Sequence, residues 1–158
     1  MTDFFEANPH KAAAKIGINS SLMAVCLALF TIMWTFAPEK INVKILLQII
    51  LAVPLFYISS ISYTKIAYWK QVRHWDRLGW LTGNAATAFT LNLIGILTFL
   101  LGYSGLALMY FGILWTLLII YTLINIRYNP KAVKIKVFKL LFFIVIQLIF
   151  GIGLLYFY

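Results

Sequence analysis

Few side chains in this 158-residue sequence could take part in bond-making chemistry: two histidines, four carboxylates and one cysteine. His74 and Asp76 come nearest to a general base and the acid that orients it, the pairing that moves a proton off water or a substrate. On a helix, residues two apart do not face each other. No nucleophile, second acid or ligand set accompanies them, and His10 is the only other histidine. His74 therefore reads as an interfacial hydrogen-bonding group. Cys26, between Val25 and Leu27, reads as a small buried hydrophobe. One cysteine makes neither an intrachain disulfide nor a cysteine-rich metal site. The expectation is a protein that is not an enzyme, with no catalytic residue, metal or cofactor assigned.

The more informative polar residues are amides set in apolar runs: Gln48, Asn84, Asn92 and Gln147. A carboxamide left unpaired in hydrocarbon costs several kcal/mol, so each must face protein or water. Asn84, Thr87, Ala88, Asn92, Gly95, Thr98 and Gly102 recur at steps of three and four and share one helix face. Phe89, Leu93, Ile96, Leu97 and Leu100 occupy much of the other side. Two readings fit these amides: hydrogen-bonding glue between helices, or the lining of a hydrated path or small-molecule pocket. Gly95, Gly102, Gly105, Gly112 and Gly151 are candidates for close helix packing, which in lipid relies on small residues. Weaker stripes run through Ala24, Ala28, Thr31 and Thr35, through Gln48, Ala52, Ser59 and Ser62, and through Gly105, Met109, Gly112 and Thr116. No ionisable residue lies in the middle of an apolar run, which argues against a proton relay or ion-coupled carrier.

A third constellation is basic and aromatic. Within residues 64–82, a helix would place Lys70, Arg73, His74 and Arg77 on one face and Tyr68, Val72 and Trp75 on another, with Trp69 alongside. Such a helix lies in the headgroup plane, where each cation near anionic lipid is worth about 1 kcal/mol. This loop is expected to dock anionic headgroups or a protein partner.

The elements that must hold these groups are membrane helices. The chain is 63% apolar and 11% charged, where a soluble domain has about 45–50% and about 25%. Apolar runs of roughly 17–25 residues cross a bilayer, and five occur, at about 18–36, 45–63, 84–101, 106–125 and 137–157. The fold expected is all-α, a single membrane domain over residues 1–158 with five transmembrane helices. Asn8-Pro9 suits a helix start, and Phe4 and Phe5 could dip into headgroups before it. Ala37 precedes Pro38, a poor cleavage point, so the first span reads as an uncleaved anchor. Pro54 is expected to kink the second span. Gly102-Tyr103-Ser104-Gly105 is short enough to make a tight hairpin of the third and fourth.

Charge then orients the spans. Of thirteen lysines and arginines, eleven fall on one face: Lys11, Lys15, Lys65, Lys70, Arg73, Arg77, Arg127, Lys131, Lys134, Lys136 and Lys139. Only Lys40 and Lys44 fall on the other. The positive-inside rule places the N-terminus in the cytoplasm and the C-terminus outside. The net charge of +9 needs no nucleic acid to explain it. Lys134 and Lys136 are expected to snorkel to lipid phosphates.

In size and span count the chain resembles the tryptophan-rich sensory proteins. Its four prolines and its tryptophans, at 34, 69, 75, 80 and 115, do not reproduce that family's signature, and no site is carried over. The function expected is non-catalytic: an oligomerising or partner-binding membrane subunit, in a cytoplasmic or organellar inner membrane, with a basic cytoplasmic docking face. The alternatives are a small-solute transporter or oligomeric channel with a polar path along the third span, and a small-molecule or lipid-binding sensor.

Overall fold

The computed structural model of the chain describes residues 9–68 and 72–156, less the side chains of Lys11, Ala67 and Tyr68. It is all-α. Four long helices, α1 (Pro9–Phe36), α2 (Val43–Tyr68), α3 (Val72–Leu100) and α4 (Ser104–Tyr128), are followed by a fifth path. That path consists of α5 (Val133–Gln147), a π-helical segment (Leu148–Gly153) and a last turn, α6 (Leu154–Tyr156). All five are long and apolar enough to cross a membrane, and together they mark a multi-pass membrane protein.

The five expected spans are all present, but each helix starts ahead of its apolar run. Hydropathy locates the stretch that suits lipid, whereas the hydrogen-bond ladder continues until a residue stops it. The difference is largest in α3, which begins at Val72 and not near residue 84. Of the segment 64–82, residues 64–68 therefore end α2 and residues 72–82 begin α3. Nothing from Trp75 to Asn84 breaks the ladder; Gly79 and Gly83 cost about 1 kcal/mol each as helix formers, and both face α2 at close range. Pro54 sits inside α2 without ending it.

Helix ends are closed by identifiable groups. The backbone N–H groups of Lys44 and Ile45 donate to Oδ1 of Asn42 at 3.0 and 3.3 Å, an N-cap for α2. At the end of α3, Gly102 takes φ +95°. Its N–H bonds to the Phe99 carbonyl at 2.9 Å and that of Tyr103 to the Thr98 carbonyl at 3.1 Å. Those two bonds and the left-handed glycine form a Schellman ending, and it makes the expected hairpin turn. Lys136 donates to the carbonyls of Asn125 and, at 3.2 Å, Asn129, so it closes α4 where snorkelling was expected. Asn8, Phe4 and Phe5 lie outside the described residues.

The chain forms two compact units, Met1–Thr90 and Leu91–Tyr158, and α3 contributes to both. In the first, α1 and α2 pack together. The buried residues of α1, Ala12, Asn19, Cys26 and Met33, are spaced by seven and form one narrow seam. The small residues Ala24, Ala28, Thr31 and Thr35 are exposed instead. Thr31 and Thr35 satisfy their hydroxyls on their own helix, donating to the carbonyls of Leu27 and Thr31. At one end of this unit, Ala12, Tyr63, Ile66 and Val72 form a buried cluster, with Ile16 and Trp75 packed against it.

In the second unit, the Phe111 ring fills space that two glycines leave open. A Cβ at Gly95 would stand 2.5 Å from the ring, and one at Gly151 would stand 3.1 Å from it. The hydroxyl of Tyr110 donates to the Leu91 carbonyl at 3.1 Å, fixing α4 against α3 one residue away.

Candidate functional site

The first unit holds an open recess of about 50 Å³ between α1, α2 and the first half of α3. That is several times the ~10–15 Å³ one water requires. Its floor is a hydrogen-bonded chain. Asn19 Nδ2 donates to Ser59 Oγ at 2.8 Å, and Ser59 donates to the Gly79 carbonyl at 2.6 Å. Both Asn19 and Ser59 are buried, so this chain satisfies groups that lipid would leave unpaired. Two glycines on α3 let the helices come this close. A Cβ at Gly83 would stand 2.7 Å from Ser59 Oγ, and one at Gly79 would stand 3.1 Å from the Tyr63 ring.

Around that floor stand Lys15, Ile18, Tyr63, Asn84 and Thr87. Lys15 is the single charged residue in the lining. It lies three residues ahead of the apolar run that begins near residue 18, about 4.5 Å along the helix at 1.5 Å per residue. Its four-carbon stem can therefore run along the helix while the ammonium stays at headgroup level. Asn84 spends one amide proton on the Trp80 carbonyl at 2.6 Å, and Thr87 spends its hydroxyl proton on the Gly83 carbonyl at 2.8 Å. Lys65, near the end of α2, and Arg73 and Arg77, at the start of α3, stand at the same end of the unit. The recess is thus polar, open and bordered by one cation.

The sequence-derived candidates divide among several places. Asn84 lines the recess. Gln48 is fully buried within α2, outside the lining. Asn92 and Gln147 belong to the second unit and are also fully buried. There Gln147 Oε1 accepts the Trp115 indole N–H at 2.7 Å. Of the basic and aromatic set, Trp69 and Lys70 lie outside the described residues. Arg73, His74 and Arg77 are exposed, Asp76 is buried, and Trp75 packs against the cluster at Tyr63. His74 and Asp76 therefore lie on different faces of α3, as their spacing requires. Among the glycines, Gly95 and Gly151 lie in tight contact and Gly102 forms the turn. A Cβ on Gly105 or Gly112 would meet nothing within 4 Å among the described residues.

Five residues of the recess were not singled out from sequence, Ile18 and Tyr63 in its wall and three that shape its floor: Asn19, Gly79 and Gly83. Signals for the last three were present. Gly79 and Gly83 are four apart, the small-xxx-small spacing of close membrane helices. Asn19 falls on the seven-residue seam of α1.

No protein-family model, curated protein or solved structure matches the chain.

Proposed function

We propose that this is a non-catalytic membrane effector that works by binding, and that the recess of its first unit receives the phosphate of an anionic lipid on the cytoplasmic side. The observation that carries this reading is Lys15, a lone cation in a polar, open recess whose other members are uncharged and include the hydrogen-bonding side chains of Asn19, Ser59, Tyr63, Asn84 and Thr87. A phosphate suits that lining, because an ammonium supplies charge and three donors while hydroxyls and amides accept or donate around it. Lys65, Arg73 and Arg77 add positive potential at the same end. The positive-inside bias puts this end in the cytoplasm, the side whose leaflet carries anionic lipid.

The test is lipid-dependent stability. Delipidated protein in neutral detergent is titrated with short-chain phosphatidylglycerol or phosphatidylcholine while its Tm is followed. Phosphatidylglycerol is expected to raise Tm saturably, and Lys15→Gln to remove most of that rise without lowering the lipid-free Tm. An equal response to both lipids, or an unchanged response in the variant, would overturn the reading.

A second reading, association with another copy within the membrane, is favoured by a different observation. The small residues Ala24, Ala28, Thr31 and Thr35 on α1 and Gly105 and Gly112 on α4 are exposed. Small residues gain little from lipid and allow close approach of a helix. Cysteine cross-linking at Ala28 and Gly112 in a Cys26-free protein tests it, with the bulky, exposed Ile113 as the control.

A further inference from the structure

The second unit contains two buried amides, Asn92 and Gln147, that its own fold leaves partly unsatisfied. Asn92 is fully buried, and neither its Nδ2 nor its Oδ1 has a hydrogen-bond partner among the described residues. Gln147 is equally buried; its Oε1 is taken by Trp115, but its Nε2 has no partner there. Unpaired amides at this depth cost several kcal/mol, so a stable fold needs something to meet them.

The backbone around these two amides is unusual in a matching way. Gln147 is the last residue of regular α5, and the six residues after it, Leu148–Gly153, are π-helical. Segments of π-helix are rare and occur often at functional sites. Gly151 lies within this one, four residues past Gln147, and a Cβ there would stand 2.7 Å from Asn92 Oδ1. The Asn92 carboxamide therefore rests directly on a π-helical backbone, at a residue four positions along the chain from Gln147. Replacing the glycine would push it away.

The donor and acceptor inventory states what is missing. Asn92 offers two N–H donors and a carbonyl, and Gln147 Nε2 offers two more donors. Neither amide carries a charge, so the complement is a small neutral group that both accepts and donates. The site has no exposed surface at either amide, which suits a molecule of the smallest size. We infer that the second unit holds an internal water site, in which water bridges the Asn92 carboxamide and Gln147 Nε2 beside the π-helical segment. Buried waters of this kind make about three hydrogen bonds to groups otherwise unsatisfied. This site is separate from the proposed phosphate recess, and either can fail without the other.

Proton-detected solid-state NMR of the full chain in bilayers, with ¹⁵N-labelled asparagine and glutamine, tests this directly. Polarisation transferred from water is expected to reach Asn92 Nδ2 and Gln147 Nε2, well above its level at the backbone amide of Leu93. In the double variant Asn92→Leu/Gln147→Leu, which removes both sides of the bridge, the loss of stability is expected to be smaller than the sum of the two single losses. Cross-peaks between the two side-chain amides with no water transfer would show a direct Asn92–Gln147 bond and overturn the proposal. Additive losses of stability in the double variant would also overturn it. Because the NMR arm uses the wild-type protein, it stands even if a single variant fails to fold.

Discussion

Trp115 donates its indole N–H to Oε1 of Gln147 at 2.7 Å, so a residue of α4 fixes the orientation of the amide with which regular α5 ends. Gln147 is fully buried, and its carbonyl oxygen has no solvent to turn to. The Trp115→Phe variant keeps most of the ring and deletes only the donor. It should lower stability by about 1 kcal/mol, the scale of interhelical hydrogen bonds in membranes. Trp34→Phe is the control, because Trp34 is 63% exposed. Reversible unfolding in mixed micelles measures both. Equal stability of the two variants would remove the bond from any structural role.

The glycines give a sharper contrast, because the same substitution meets different surroundings. At Gly83 an added methyl would stand 2.7 Å from Ser59 Oγ, on the floor of the recess. That atom is held by its bonds to Asn19 and the Gly79 carbonyl and cannot simply rotate away. Gly83→Ala should destabilise by about 1–3 kcal/mol, the usual cost of overpacking. Gly112→Ala, with open space around it, should be neutral or stabilise by up to about 1 kcal/mol through helix propensity. A shift of the same sign and size at both positions would show that the α2–α3 approach is not tight at Gly83.

How much of this was legible in the sequence depends on which signal each feature leaves. Five spans follow from apolar length alone, and the hairpin at Gly102 follows from glycine spacing and a short turn. The start of α3 was misplaced because hydropathy falls over Arg73–Arg77 while helix propensity does not. Reading that segment as a loop hid the spacing of Gly79 and Gly83, and with it the floor of the recess. Asn19 escaped for another reason: a single asparagine early in a span carries no pattern until the buried seam Ala12, Asn19, Cys26 and Met33 is known. Asn92 stood out in the sequence because a mid-span amide is costly anywhere. Its setting against a π-helical glycine did not, since no local residue pattern in Leu148–Gly153 announces that geometry.

Lys136 offers a test of helix termination. Its ammonium reaches the carbonyls of Asn125 and Asn129, a second donor to oxygens that already accept the backbone N–H groups of Asn129 and Ala132. A cation at a helix C-terminus is worth about 0.3–1 kcal/mol, and up to ~2 when partly buried. Lys136→Met keeps the stem and removes the charge. Hydrogen–deuterium exchange should then quicken over Ile126–Tyr128 in the last turn of α4 and stay unchanged over Leu114–Leu118 in its middle. Unchanged exchange in the last turn would show that water caps α4 equally well.

The charge asymmetry makes a prediction about the whole chain. Eleven of thirteen cationic side chains border the N-terminus and the α2–α3 and α4–α5 connections, and only Lys40 and Lys44 border the other side. Such a bias favours retention of the rich side in the cytoplasm. Reporters fused at the two termini should therefore read cytoplasmic at residue 1 and external at residue 158. Neutralising Lys65, Lys70, Arg73 and Arg77 together removes four of the eleven and should raise the fraction of molecules with mixed or inverted orientation. Exchanging Lys40 and Lys44 for glutamine should leave orientation unchanged, because it deepens the existing bias. If the terminal reporters read the opposite way in the wild-type chain, the recess at Lys15 faces the external leaflet. Phosphate recognition there would then have to be sought among the lipids of that side.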